Sequence, residues 1–153
     1  MSVRVVEENR VRDPCIFRTV EIDFQIAQLD DGADKSIGRE VKCQVLEFLL
    51  QARRAGHVVV GYGAPAKAST LLNCCGIGPG LLRFTVDLSP HKQGRFIPGV
   101  RIPILPPEQV FAARPDYLFI LPWNIADEVM AQMAAVRAWG CRFVTAIPEL
   151  LVV

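Results

Sequence analysis

The chain has 153 residues, is 51% apolar and 22% charged, and carries a formal net charge of +1. That is enough apolar content to bury a core in one domain, and too much for a disordered chain. The balanced charge gives no support for a broad nucleic-acid or acidic-membrane surface, and no apolar run approaches the ~18–20 residues of a membrane span.

The N-terminus, Met1-Ser2-Val3-Arg4-Val5-Val6-Glu7-Glu8, lacks the long apolar core of a signal peptide. The expectation is a cytoplasmic chain. Residues 19–26 alternate, with Val20, Ile22, Phe24 and Ile26 on one side and Glu21, Asp23 and Gln25 on the other. That pattern predicts a half-buried strand, succeeded by a turn over 29–34. From 36 to 55 the period becomes helical. Ile37, Val41, Val45, Phe48 and Leu49 recur at steps of three and four, Ser36 is placed to cap the start, and Gly56 stops the helix. A domain over 36–153 is therefore set apart from the segment 1–35.

Beyond Gly56, strands and helices alternate. Strands are predicted over 57–61, 82–87, 117–121 and 141–147. Helices are predicted over 65–76, with Leu71, Leu72 and Cys75 facing in, over 106–113, and over 125–139, with Ile125, Val129, Met133 and Val136 on one face. Residues 89–103 read as a long loop rich in Pro, Gly and charge. Such alternation predicts an α/β, Rossmann-like three-layer domain: a mainly parallel sheet with right-handed crossovers and helices on both faces.

The first strand opens into Gly61-Tyr62-Gly63-Ala64-Pro65-Ala66-Lys67. Strand, glycine turn and helix start come in the order that aims backbone N–H groups and the positive end of a helix at an anion, and the spacing fits G-x-G-x-x-G/A. In a parallel sheet, ligands bind beyond the carboxyl ends of the strands. Each predicted strand here runs out into polar groups: the first into Tyr62 to Lys67, the second into Asp87 with His91, Lys92 and Arg95, the third into Pro122-Trp123-Asn124, the fourth into Pro148-Glu149. Convergence on one rim carries more weight than the glycine turn alone.

Each group has two readings. Gly61 and Gly63 serve a phosphate or only close packing. Lys67 is a ligand contact or a solvated cation, and Lys92 with Arg95 a phosphate clamp or a wet loop. Asp87 is a ribose acceptor or a turn cap, and Asn124 a ligand contact or a helix N-cap. The five cysteines, Cys15, Cys43, Cys74, Cys75 and Cys141, form no C-x-x-C pair, and His57 and His91 complete no zinc pattern. They are expected as reduced, buried thiols, with no metal site. No catalytic triad and no second glycine turn are visible.

These segments, together with Thr70-Leu71-Leu72-Asn73, Asp87-Leu88-Ser89-Pro90, Lys92-Gln93-Gly94, Pro98-Gly99, Ile102-Pro103-Ile104, Pro115-Asp116-Tyr117 and Leu121-Pro122-Trp123-Asn124, resemble one family. It is the C-terminal domain of S-adenosylmethionine-dependent sugar C-methyltransferases, which act on nucleotide-linked deoxysugars. The resemblance covers roughly residues 36 to 150. Ala68 stands where the family often has Gly, and no aromatic stands at Cys74 or Cys75.

The resemblance implies a Rossmann-like module that helps to hold a nucleotide-linked sugar, a thymidine-diphosphate sugar in the first instance. An N-terminal zinc domain and a central domain, which carries S-adenosylmethionine and the acid/base residues, complete the family's enzymes. On this reading the chain binds no methyl donor by itself, is incomplete as a catalyst, and works with a methyltransferase domain or chain. The expected contacts are Gly61, Tyr62, Gly63, Ala64, Lys67, Asn73, Asp87, Lys92, Arg95, Trp123 and Asn124. Two alternatives stand beside it: an NAD-type dinucleotide-binding enzyme or regulatory domain using Asp87, and a structural subunit of a separate methyltransferase.

Overall fold

A computed structural model describes residues 35–153. The strand predicted over 19–26, the turn over 29–34 and Cys15 lie outside them. Helix α1 (Lys35–Arg54) carries a stripe of Val41, Val45, Leu49 and Ala52, all buried. On its wet side Gln44 and Gln51 donate to Glu40 and Glu47 one turn away, and Arg53 and Arg54 face the negative end of the helix dipole. Ser36 lies inside this helix instead of capping it. Gly56, at φ +78°, ends the run while the His57 N–H donates to the Ala52 carbonyl.

The remainder of the chain supplies six strands: β1 (Val59–Tyr62), β2 (Thr85–Val86), β3 (Ile104–Leu105), β4 (Tyr117–Ile120), β5 (Arg142–Thr145) and β6 (Leu151–Val152). They form one sheet in the order β3-β2-β1-β4-β5-β6, parallel throughout except for the antiparallel β5–β6 pair. That is the strand order of a doubly wound dinucleotide-type fold. Alternate residues of each strand feed the two faces. Val59, Phe119 and Val144 join α1 and α2 (Ala66–Cys75) in one core. Val60, Leu118, Ile120 and Phe143 join Val110 of α3 (Glu108–Ala113) and Val129 of α4 (Ala126–Gln132) in the other.

The structure corrects several local expectations. His57 stands before β1, exposed, with its ring 3.5 Å from the Asp116 carboxylate. Pro65 precedes α2 in extended conformation and does not sit within its first turn. The helix predicted over 125–139 is three pieces: a 3-10 turn (Trp123–Ile125), α4, and a second 3-10 turn (Ala134–Trp139). Ile125 precedes α4 at φ −121°, so it is out of phase with Val129 and Met133 and is exposed. Cys43 sits on the outer side of α1, while Cys74, Cys75 and Cys141 are buried.

The loop read over 89–103 contains a small hairpin. Its arms are tied by Gly94 N–H to Ile104 O, Ile104 N–H to Arg95 O and Ile97 N–H to Ile102 O, each 2.8 Å. The hairpin lies along the outer edge of β3 and covers it.

Candidate functional site

β1 lies at the switch point of the sheet, with β2 on one side and β4 on the other. Its glycines answer to backbone approach. A Cβ on Gly61 would stand 2.7 Å from Thr85 Oγ1. Gly63 has φ +87°, and a Cβ there would stand 2.6 Å from Pro122 Cδ. Pro122 therefore packs directly on the glycine turn, in the crevice where a doubly wound fold opens to its ligand. The Gly63 N–H donates to Val86 O, and the buried Thr85 hydroxyl donates to Gly63 O, each at 2.6 Å. Thr85 is a positioning group that the sequence reading missed; the one signal was a hydroxyl in the apolar run Phe84-Thr85-Val86.

Tyr62, an expected ligand contact, points the other way. Its ring lies in the α3–α4 core and its hydroxyl donates to Gln132 at 2.9 Å. Burial, and secondarily the negative charge of Asp87, push that hydroxyl's pKa above its ordinary 10.0. The residue is closed to a ligand because alternation in β1 sends it to the opposite face from Gly61.

Asp87, just beyond β2, is turned toward its own chain and only 12% exposed. Its Oδ2 accepts the Ala64 N–H at 2.8 Å and its Oδ1 accepts the Ser89 N–H at 2.8 Å. Lys92 Nζ reaches both the Ala64 carbonyl, at 3.2 Å, and Asp87 Oδ2, at 3.3 Å. Gln93 closes the turn through the Asp87 carbonyl at 2.9 Å. Of the two readings of Asp87, the geometry matches the turn cap, extended to the glycine turn across the sheet.

Lys67 and Trp123 come together at the rim, with the ammonium 5.8 Å from the ring centroid. Lys67 is exposed and Trp123 half-buried. The first turn of α2 leaves the Ala66 and Lys67 N–H groups without an acceptor among the described residues, while Ala68 and Ser69 donate to Pro65 O. Asn73 is engaged elsewhere: its amide donates to Ser69 O at 2.7 Å and Pro98 O at 2.8 Å, and Gly99 lies against its carbonyl end. Arg95 is exposed on the hairpin. Asn124 is exposed inside the 3-10 turn and makes no capping bond, so its N-cap reading fails.

Trp123 and Asn124 also border a cleft of about 340 Å³ with Ile125, Thr145, Ile147 and Leu151. Thr145 ends β5 on the same rim, a placement hidden from the sequence reading because it took the strand two residues further. No group of three His, Cys, Asp or Glu among the described residues is placed to hold a metal ion, and no described helix is long and apolar enough to cross a membrane.

Residues 33–148 match the family described as the C-methyltransferase C-terminal domain. The C-methyltransferase NovU of Streptomyces niveus is 42% identical over 109 residues, which is 71% of this chain and 26% of that protein. The chain thus spans about a quarter of the length of that curated relative. The crystal structure of UDP-D-quinovosamine 4-dehydrogenase from Vibrio fischeri aligns at a TM-score of 0.47 and 15% identity, over 63% of this chain and 93% of that one.

Proposed function

The chain belongs to the C-methyltransferase C-terminal domain family, and from that premise we propose that it is the module that holds a nucleotide-linked sugar for C-methylation. The observation that carries the reading is the rim at α2. The Ala66 and Lys67 N–H groups have no acceptor among the described residues, and the Lys67 ammonium meets the ring of Trp123, which follows β4 at the carboxyl end of the sheet. A diphosphate matches that charge, and a base or sugar ring matches an aromatic face. Arg95 and Asn124, both exposed, are the reserve of polar contacts; a thymidine-diphosphate deoxysugar is the ligand we would offer first.

S-adenosylmethionine fits these residues poorly. The chain's glycine turn has its carbonyl taken by Thr85 and the Gly63 and Ala64 N–H groups taken by Val86 and Asp87. We therefore assign the methyl donor, and the acid/base chemistry, to another domain or chain. The same engagement of Asp87 weighs against an NAD-type site, since no carboxylate oxygen is turned outward for a ribose. Buried Cys75 and Cys141 thiols suit a reducing, cytoplasmic setting.

Calorimetric titration of the chain with a thymidine-diphosphate sugar, with NAD and S-adenosylmethionine as controls, tests the reading. Selective binding of the sugar nucleotide is expected. Lys67→Ala should weaken it by about 1–3 kcal/mol, and an unchanged affinity removes Lys67 from the site. A second reading has support of its own, because most polar groups at the glycine turn are satisfied internally. If no nucleotide binds and the chain co-purifies with a methyltransferase chain, a structural subunit is the better description.

A further inference from the structure

We infer that Asp87 and Lys92 are a built-in substitute for a ligand phosphate at the glycine turn, and that this pair keeps pyrophosphate-bearing dinucleotides out of it. A pyrophosphate bound to such a turn presents anionic oxygens to backbone N–H groups and draws a cation beside it. Here all three parts exist already. The Asp87 carboxylate is the anion, the Ala64 N–H its donor at 2.8 Å, and Lys92 the cation at 3.3 Å. Lys92 also reaches the Ala64 carbonyl, so both backbone polar groups of that residue are held by the pair.

The placement is not incidental to the loop. Asp87 lies at the end of β2, where a dinucleotide fold directs an acid outward to a ribose. The Ser89 N–H holds the carboxylate inward, and the Gln93 amide fixes the turn that carries it. The charge on Asp87 is felt at Tyr62, at the end of the neighbouring strand. Pro122 fills the crevice beside Gly63. A dinucleotide would have to displace a charge-assisted hydrogen bond and an ion pair before making its own.

The pair acts in this way whether or not the rim at α2 holds a nucleotide sugar, so the two are tested separately. Binding of inorganic pyrophosphate and of NAD is measured by calorimetry on the wild-type chain, Asp87→Ala, Asp87→Asn and Asp87→Ala/Lys92→Ala. The wild type should not bind NAD, and should bind pyrophosphate only weakly, through the Lys67 rim and so not in Lys67→Ala. Asp87→Ala, which frees the Ala64 N–H and the Lys92 ammonium, should bind pyrophosphate at least about tenfold more tightly. The double variant should lose that gain. Asp87→Asn keeps an acceptor for Ala64 while releasing Lys92, so it should fold normally and show a smaller gain.

No gain in either folded single variant overturns the inference, as does a gain that survives loss of Lys92. Hydrogen exchange in the wild type adds a check that needs no variant: the Ala64 amide should be protected, and fast exchange there also overturns it. Selective sugar-nucleotide binding that depends on Lys67 reports on the proposed function alone, whichever way the pyrophosphate series falls.

Discussion

Gly63 shows how much one residue decides. Its positive φ and its contact with Pro122 leave no room for a side chain. Gly63→Ala should lose about 2–4 kcal/mol in urea denaturation; an unchanged midpoint would mean that Pro122 yields at no cost. Thr85→Val removes the donor to the Gly63 carbonyl in a fully buried place and should lose about 1–3 kcal/mol. The need for glycine at both positions was legible in the spacing. The purpose of Asp87 and Lys92 was not, because an acid or a lysine at a strand end reads the same whether it faces a ligand or its own backbone. Only the distances to Ala64 separate the two. Tyr62 was misread for a simpler reason: a motif names neighbours in sequence, and alternation sends neighbours to opposite faces.

At the scale of elements, segments with a period or an apolar run were readable, β2 (predicted over 82–87) and α3 (predicted over 106–113) among them although shorter than expected, and β3 and β6 were not. α1 announced itself through Val41, Val45 and Leu49, and β1, β4 and β5 through apolar runs next to turns. β3 and β6 are two residues each. β3 is flanked by Pro103 and Pro106, so neither its length nor its composition carries a period. Such strands exist because tertiary neighbours supply their ladder partners. The connection from β2 to β3 has no helix to brace it; α2 does that work through Asn73, whose amide reaches Pro98. Asn73→Ala should lower stability by about 1–2 kcal/mol and speed hydrogen exchange over residues 94–102. Normal exchange there would show that the hairpin holds itself.

For the molecule as a whole, the alternation of strands and helices was sufficient to expect the doubly wound sheet, and the strand order agrees with it. The site was legible as a rim, not as a set of contacts. Lys67 and Trp123 meet there, while Asn73, Asp87 and Lys92 are committed to the scaffold. Burial of titratable groups also gives the fold a pH signature. Burial first, then the neighbouring Cys74, pushes the Cys75 thiol from 9.0 to about 12. Burial and Asp116 push Cys141 from 9.0 to about 11. Tyr62 moves upward from 10.0 as well. Because the folded state holds these protons more tightly, their contribution is complete below the unfolded values. It is lost as pH rises through the folded ones. The urea midpoint should therefore fall as pH is raised from about 9 toward 11, and Cys75→Ala should flatten the fall. A midpoint that stays level over that range would contradict the burial of these thiols.

The hairpin along β3 has a consequence for crowding. Its outermost arm carries Gly94, Arg95 and Pro98, which make poor partners for a further strand. At the other margin, β6 presents Leu151 and Val152, both exposed. Among the described residues, then, the sheet is covered on one flank and has no further strand on the other. Were two copies to pair through β6, the covered β3 flank of each would leave no edge for a third, so association by that route would end at a pair and not grow into a fibre.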